Sequence, residues 1–456
     1  MSHTLIFDIG KTNKKCFLFD ENYQEVWKEY SRPKEIKDED GFPCDDINAI
    51  GQWIKETYEK VLNHPGFELD RVNFSTYGAS FVHLDNTGKP LTPLYNYLKP
   101  YPQKNLDSFY DKYGDKDAFA IETASPSLGM LNSDLQLYWL KYAQPGVFEK
   151  IHWSLHFPQY ASYLISGNLV SDFTSIGCHT GLWDFENKDY HHWVYAEGID
   201  RILPPVVDTT TSVQKTYQGK EINVGVGIHD SSAALLPYIF CDEEPFLLLS
   251  TGTWSIALNP FNTTPFTIDE LNQDCLNYMR VDGGSVKAAR LFLGNEYEIW
   301  IKALADFFNQ PIDQHKKVKL DPNVLEALNR FQNPVFQWQS IAQVAKRGAI
   351  TDLSQFNTYE EAYHKLVQEL VDLQVDAIKL AIGKTALKKV YIDGGFVGNQ
   401  LFIRLLAQKL PDFELITNKT PLGSALGAAM AISDEAIDPE FMLKNFSFHP
   451  RTTIPR

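Results

Sequence analysis

The stretch "LIFDIGKTNKKCFLFD", Leu5 to Asp20, is an apolar run, a polar turn opened by glycine, and a second apolar run. A phosphate loop of the G-x-x-x-x-G-K-[ST] kind needs a second glycine and a helix behind it. Gly10 has neither, because Cys16-Phe17-Leu18-Phe19 is a β-type run between polar residues. The stretch therefore reads as a β-hairpin. Its turn, Gly10-Lys11-Thr12-Asn13-Lys14, offers backbone amides, hydroxyl and ammonium groups, and Asp8 stands at the end of the first strand. A carboxylate beside a cationic, amide-rich turn suits Mg²⁺ and phosphate. An ordinary surface hairpin has the same pattern, so the turn alone does not decide.

The pattern returns in "FLLLSTGTWSIALNP" (246–260), where Ser250-Thr251-Gly252-Thr253 form the turn. Two copies of one unit, roughly 240 residues apart, predict two related lobes. At 456 residues the chain also exceeds the size at which a single core stops growing. The boundary is expected near the acidic, proline-ended "YIFCDEEP" (238–245), giving lobes 1–243 and 244–456.

Composition narrows the partners. A net charge of −16 without a basic stripe argues against nucleic acid. The five cysteines, Cys16, Cys44, Cys178, Cys241 and Cys275, are scattered and form no C-x-x-C, which suits a reducing compartment and supplies no zinc site. The start "MSHTLIFDIG" lacks the pattern of a secretory leader, and no apolar run is long enough to span a bilayer. A cytoplasmic protein with no membrane partner is expected.

Between the hairpins, the charged loop 31–46 is expected to connect rather than pack. Ile50, Trp53, Ile54, Tyr58, Val61 and Leu62 fall on one helical stripe. "RVNFSTYG" (71–78) reads as a strand, followed by "FVHLD" and the turn "NTGKP" as a hairpin-like pair. Helical spacing from Ser154 to Ser166 predicts a helix ending at Gly167. His152 and His156 are four apart but lack the acid of H-E-x-x-H, and read as core and surface histidines, as does His191-His192.

Two further stretches carry chemistry. "KKVYIDGGFVGNQLFIRLLAQKL" (388–410) is a strand, a Gly394-Gly395 turn and a helix from about Asn399 with Leu401, Leu405, Leu406 and Leu410 inward. Such glycines let a ligand approach the backbone, and a helix N-terminus favours anions. "PLGSALGAAMAI" (421–432) is rich in small residues and would pack closely on a neighbour or under a flat ring. In "VGVGIHDSSAALLPY" (224–238), a β-type run leads to His229-Asp230 and an apolar helix. A carboxylate there could take a proton from a bound hydroxyl, or merely cap the helix.

In this order, the pieces resemble the FGGY carbohydrate kinases along nearly the whole chain. "DIGKTNKK" looks like the family's first phosphate motif, "HDSSAA" like the segment of its catalytic Asp, and "STGTW" like its second phosphate motif. "GGFVGNQLFIRLLAQ" is similar to the adenosine motif, and "PLGSALGAAMAI" to the closing adenine-side helix. "TGLWDFENKDY" and "GIDRILPPVVDTTTSVQ" follow the lobe-one pattern. "IHDSSAA" and "STGTWS" look most like the rhamnulokinase branch. "STYGASFVHLDNTGKPLTPLYNY" resembles that branch's tryptophan-glycine segment with Tyr77 at the tryptophan position, and "RLFLGNEYEIW" its nucleotide-contacting stretch. The chain departs from the family in "YNYLKPYPQK" (95–104), which lacks the Asp and Arg of many members, and in Ser80, which replaces an Asp. Both departures bear on the sugar.

The resemblance implies an α/β fold of two actin-like (ribonuclease-H-like) lobes around a cleft, and ATP-dependent phosphorylation of a ketose with Mg²⁺. It implies Asp230 as catalytic base and Asp8 as the Mg²⁺ residue. Thr12, Asn13, Lys14, Thr251, Gly252 and Thr253 would hold phosphates, and Asn295, Gly394, Gly395 and Asn399 the adenosine. Tyr77, Gly78, Ala79, His229 and Asp230 would meet the sugar, with Tyr77, Ala79 and Phe81 as an apolar wall for the methyl of a 6-deoxyketohexose. The family scaffold allows a homodimer. A pentulose kinase, and a chaperone-like ATPase or non-catalytic sugar sensor on the same scaffold, stay open.

Overall fold

The computed structural model of the protein describes residues 2–341, 344, 350–418, 423–433 and 438. Pro421 and Leu422 of the small-residue stretch lie outside them. The opening hairpin is Ser2–Ile9 paired antiparallel to Lys14–Phe19, and Glu68–Thr76 adds parallel to its first strand. The first sheet runs Ser212–Tyr217, Lys220–Gly225, Glu68–Thr76, Ser2–Ile9, Lys14–Phe19, Glu25–Ser31, with Ile228–His229 also on Glu68–Thr76. The second runs Cys275–Met279, Ser285–Leu291, Ser255–Asn259, Phe246–Thr251, Lys389–Gly394, Glu414–Thr417. In each sheet the hairpin's first strand has an antiparallel run on one side and two parallel strands on the other. The fold is mixed α/β, two-lobed and actin-like.

The repeat extends to the register. Asp8 is the penultimate residue of its strand and pairs with Ser75 on the neighbour. Ser250 is penultimate in the equivalent strand and pairs with Asp393. The acid and the serine have exchanged strands, so each sheet presents one carboxylate at the same level.

Helices cover both sheets, and on the first the predicted apolar stripe faces inward. Ile47–Leu62 buries Ile50, Trp53, Ile54, Tyr58, Val61 and Leu62 on the first sheet, capped by Asp46. Tyr359–Ile382 does the same for the second. Asp230–Cys241 and Gly423–Met430 lie between the sheets. Asn73 Nδ2 donates to Ala428 O at 2.8 Å, fixing the second of these helices to the first sheet. The two helices approach so closely that a Cβ on Gly427 would stand 1.8 Å from Ala233 O. That carbonyl is the one Pro237, lacking an N–H, leaves without its helical donor.

Three expectations change. Helical spacing from Ser154 does not start the helix there: Trp153–His156 is a strand, and the helix runs Phe157–Ser166, with Pro158 in its first turn, where proline belongs. "FVHLD" does turn back through "NTGKP", with Leu84 bridged to Pro90, but the strand partner of Phe81–Leu84 is Trp153–His156, antiparallel. The loop 31–46 does pack, burying Asp38, Cys44 and Asp45.

Candidate active site

The two hairpin turns, the His229-Asp230 helix start and the Gly394-Gly395 turn converge on one cleft of about 820 Å³ between the sheets. Its walls include Asp8, Thr12, Asn13, Tyr77, Gly78, Ala79, His229 and Asp230 from the first half of the chain. From the second half come Thr251, Gly252, Thr253, Asn295, Gly394 and Gly395.

Three carboxylates face this space. Asp230 is the first residue of the helix Asp230–Cys241, whose N-cap, His229, makes no side-chain cap hydrogen bond; the Asp230 carboxylate accepts from the Ser231 hydroxyl at 3.3 Å. Its side chain is 31 % exposed, yet it lies deep enough between the walls that burial pushes its pKa up to about 6. Asp8 is also raised to about 6, first by burial and further by the charge of Asp230, while Lys15 and a hydrogen bond from Ser424 oppose the rise. Asp393 reaches about 6 through burial, with Ser250 and Tyr238 as its hydrogen-bond partners. Acids tuned near neutrality in a cleft are suited to proton transfer and cation binding.

Close backbone contacts join the second turn to the glycine turn. Gly394 has φ +83°, and a Cβ there would stand 1.8 Å from Thr251 O, so only glycine fits between the strands. Thr251 Oγ1 donates to Asp393 O and accepts from Phe396 N–H, joining the second turn to the glycine turn. Thr253 O accepts from the amides of Gly294 and Asn295 at the start of the helix Leu293–Phe307.

On the opposite side, Ala79 adopts φ +58°, strained for a residue with a Cβ. Gln136 Nε2 holds it by donating to Ala79 O at 2.7 Å. His229 is neutral at pH 7: burial lowers its pKa to about 4, and the charge of Arg290 lowers it further against the opposing pull of Asp172. Its Nε2 stands 3.3 Å from Cys178 Sγ and 3.4 Å from Asp230 Oδ1. Tyr97 from the first half and Trp254 from the second both line the cleft, and Trp254 opposes the rise that burial imposes on the Tyr97 pKa.

Three expected positions fall elsewhere. Lys14 turns its ammonium inward to Asp45 Oδ1 (2.8 Å) and Lys11 O (2.9 Å). Alternation along the strand gives the cleft position to Lys15 instead. Asn399 caps the helix Gln400–Lys409 through Phe402 N–H and donates to Tyr363 Oη at 3.0 Å, away from the cleft. Phe81 is fully buried and stacked on His156 at 4.1 Å, so the apolar lining beside Tyr77 and Ala79 comes from Tyr97, Leu98 and Leu131. Sequence reading missed Lys15, Asp393, Arg290 and Ser424; for Asp393, the strand-end acid before Gly394-Gly395 was the available signal.

Residues 3–236 match the N-terminal domain of the FGGY family of carbohydrate kinases, and residues 243–439 match the carbohydrate kinase FGGY C-terminal domain. The chain belongs to this family. Like other FGGY members, it is an ATP-dependent sugar kinase, a phosphotransferase acting on an alcohol. It is 23 % identical over 467 aligned residues to a rhamnulokinase of Halalkalibacterium halodurans, covering 95 % of this chain and 94 % of that one. Among solved structures, a carbohydrate kinase from Novosphingobium aromaticivorans superposes with a TM-score of 0.73 at 23 % identity, over 94 % of this chain and 93 % of the other. A ligand-bound xylulose kinase from Lactobacillus acidophilus gives 0.76 at 16 % identity, over 97 % and 91 %. No helix among the described residues is long and apolar enough to cross a membrane.

Proposed function

We propose that the chain transfers the γ-phosphoryl group of ATP to a primary hydroxyl of a neutral ketose, with a 6-deoxyketohexose such as L-rhamnulose or L-fuculose favoured. The observation that carries this reading is the Asp230 carboxylate, raised to about 6 and facing the cleft between the two hairpin turns. At neutral pH it is ionised and still basic enough to accept a proton.

The division of labour follows from position. Thr12, Asn13, Thr251, Gly252 and Thr253 hold the phosphates, with Lys15 as the nearby cation. Asn295, Gly394 and Gly395 bound the adenosine, whereas Asn399 acts only by holding its helix. Tyr77, Gly78, Ala79 and His229 meet the sugar, placing sugar and base on lobe 1–243 and nucleotide largely on lobe 244–456. Asp230 takes the hydroxyl proton as the sugar oxygen bonds to the γ-phosphorus and the bond to the ADP oxygen breaks. Such a transfer depends on positioning and charge neutralisation. Closure of the lobes excludes water as a competing acceptor.

Asp8, which lines the cleft beside the Gly10–Lys14 turn, is the residue that would hold Mg²⁺. Among the described residues no three acidic, histidine or cysteine side chains form a cage. When bound, Mg²⁺ supplies neutralisation of charge on the β- and γ-phosphates.

Two features support a neutral deoxy sugar. On the sugar side Lys11 is paired with Asp45 and Arg290 with Asp274, and burial holds both His179 and His229 below their usual pKa, so no uncompensated cation awaits a sugar acid among the described residues. Tyr97, Leu98 and Leu131 add apolar surface beside Tyr77 and Ala79. One methyl group on such a surface discriminates by only about 1–3 kcal/mol, so overlapping turnover of pentuloses such as xylulose or ribulose is expected. Locating the phosphate on the product tests the reading. C1 is expected for a 6-deoxyketose, whose C6 carries no oxygen; a phosphate on a secondary hydroxyl overturns it.

A further inference from the structure

The loop before the helix Ile47–Leu62 carries Asp45, which lines no part of the cleft yet touches both of its ends. Its backbone is pinned three ways. Cys44 pairs with Ile36, Asp46 caps the helix through Asn48 and Ala49, and Asp45 bridges to Leu94. The carboxylate is buried and accepts from three side chains: Lys11 Nζ at 2.6 Å, Lys14 Nζ at 2.8 Å and the Tyr77 hydroxyl at 2.8 Å. Lys14 Nζ also donates to Lys11 O at 2.9 Å, closing the turn whose Thr12 and Asn13 face the cleft. Lys11 Nζ lies 5.7 Å from the centroid of the Tyr77 ring. That ring packs against Phe157 at 5.1 Å and Tyr97 at 6.0 Å, and forms part of the sugar wall.

We infer that Asp45 is a positioning residue that fixes the phosphate turn and the sugar wall together, so that one carboxylate sets both substrate subsites. The reasoning is geometric. A turn bearing two lysines has many conformations in water, and charge-assisted hydrogen bonds to a rigidly held acid select one of them. The phenol of Tyr77 shares Oδ2 with Lys11, so a shift of either partner changes the hydrogen bonding of the other. The inference rests on the reading that the Gly10–Lys14 turn holds phosphates.

The decisive variant is Tyr77→Phe, which removes one hydroxyl and keeps the ring. ATP affinity is measured by nucleotide titration without sugar, and KM for both substrates by steady-state assay. A threefold or greater loss of ATP affinity is expected, although Tyr77 sits on the sugar side. An ATP affinity within a factor of two of the parent overturns the inference. Asp45→Asn is expected to raise both KM values tenfold or more. If it unfolds the protein, Asp45→Asn/Lys14→Met removes the unpaired buried ammonium. Recovery of melting temperature with both KM values still raised supports positioning, whereas recovery of both KM values with stability reduces Asp45 to a structural role. Thr12→Ala separates the two levels. If it too leaves ATP affinity unchanged, the phosphate assignment of the turn has failed; if it alone weakens ATP, only the coupling has.

Discussion

Ser424 Oγ donates a 2.9 Å hydrogen bond to Asp8 Oδ1, joining the start of the small-residue helix to the first strand of the chain. The bond opposes the rise that burial imposes on the Asp8 pKa. Ser424→Ala therefore raises that pKa, and the acid limb of activity moves to higher pH. Asp8→Ala goes further: Mg²⁺-dependent ATP use falls, while sugar binding without nucleotide stays close to the parent. Calorimetric titration of sugar against the free enzyme checks this, and a large loss of sugar affinity would make Asp8 structural.

Replacing the base separates chemistry from folding. Asp230→Asn is expected to lower turnover by about 10²–10⁴. Its melting temperature at pH 7 should equal or exceed the parent's. The folded pKa of Asp230 is raised from 3.8 to about 6, so its stabilising contribution is fully present below the unfolded value and is lost as pH rises through the folded one. Asn cannot ionise and avoids that loss. Turnover within a few-fold of the parent would remove Asp230 from the role.

The pH profile of kcat/KM should bend downward near pH 6, where Asp8 and Asp230 take up protons in the free enzyme. The two repel one another, so the limb belongs to the pair rather than to either residue. His229, neutral down to about pH 4, contributes nothing in this range. A profile flat from pH 8 to pH 5 would contradict the assignment.

Lys15 is the cation that opposes the rise of the Asp8 pKa and faces the phosphate side of the cleft. Lys15→Met should reduce kcat by about 10²–10³, the usual effect of losing one charge-stabilising donor in a closed site. Single-turnover kinetics at saturating ATP read this directly, and an unchanged rate would place Lys15 outside the reaction.

Local patterns were legible in the sequence, whereas the facing of side chains was not. Both hairpins were readable because a glycine turn between two apolar runs is a short-range signal. The turn reading picks out Lys14 and passes over Lys15, because what draws Lys14 inward is Asp45, brought in by a loop expected only to connect. Phe81 read as a wall of the sugar site because the strand that buries it, Trp153–His156, lies some way along the chain. Asn399 read as a ligand contact, but asparagine at a helix start is also a cap, and the cap is what the fold uses. Asp393 stands at a strand end that the sequence does show, before Gly394-Gly395, but only the register shows that the acid of the second lobe has moved to the neighbouring strand and stands level with Ser250.

The most direct test is ADP formation measured with and without sugar, with specificity constants for L-rhamnulose, L-fuculose, D-xylulose, L-ribulose and glycerol. The account predicts ATP consumption that depends on added sugar, with the highest specificity constant for a 6-deoxyketohexose and lower, measurable values for the pentuloses. A clear preference for a pentulose or glycerol would contradict the deoxyhexulose assignment, and ATP consumption indifferent to every sugar would contradict the phosphoryl-transfer role of the cleft.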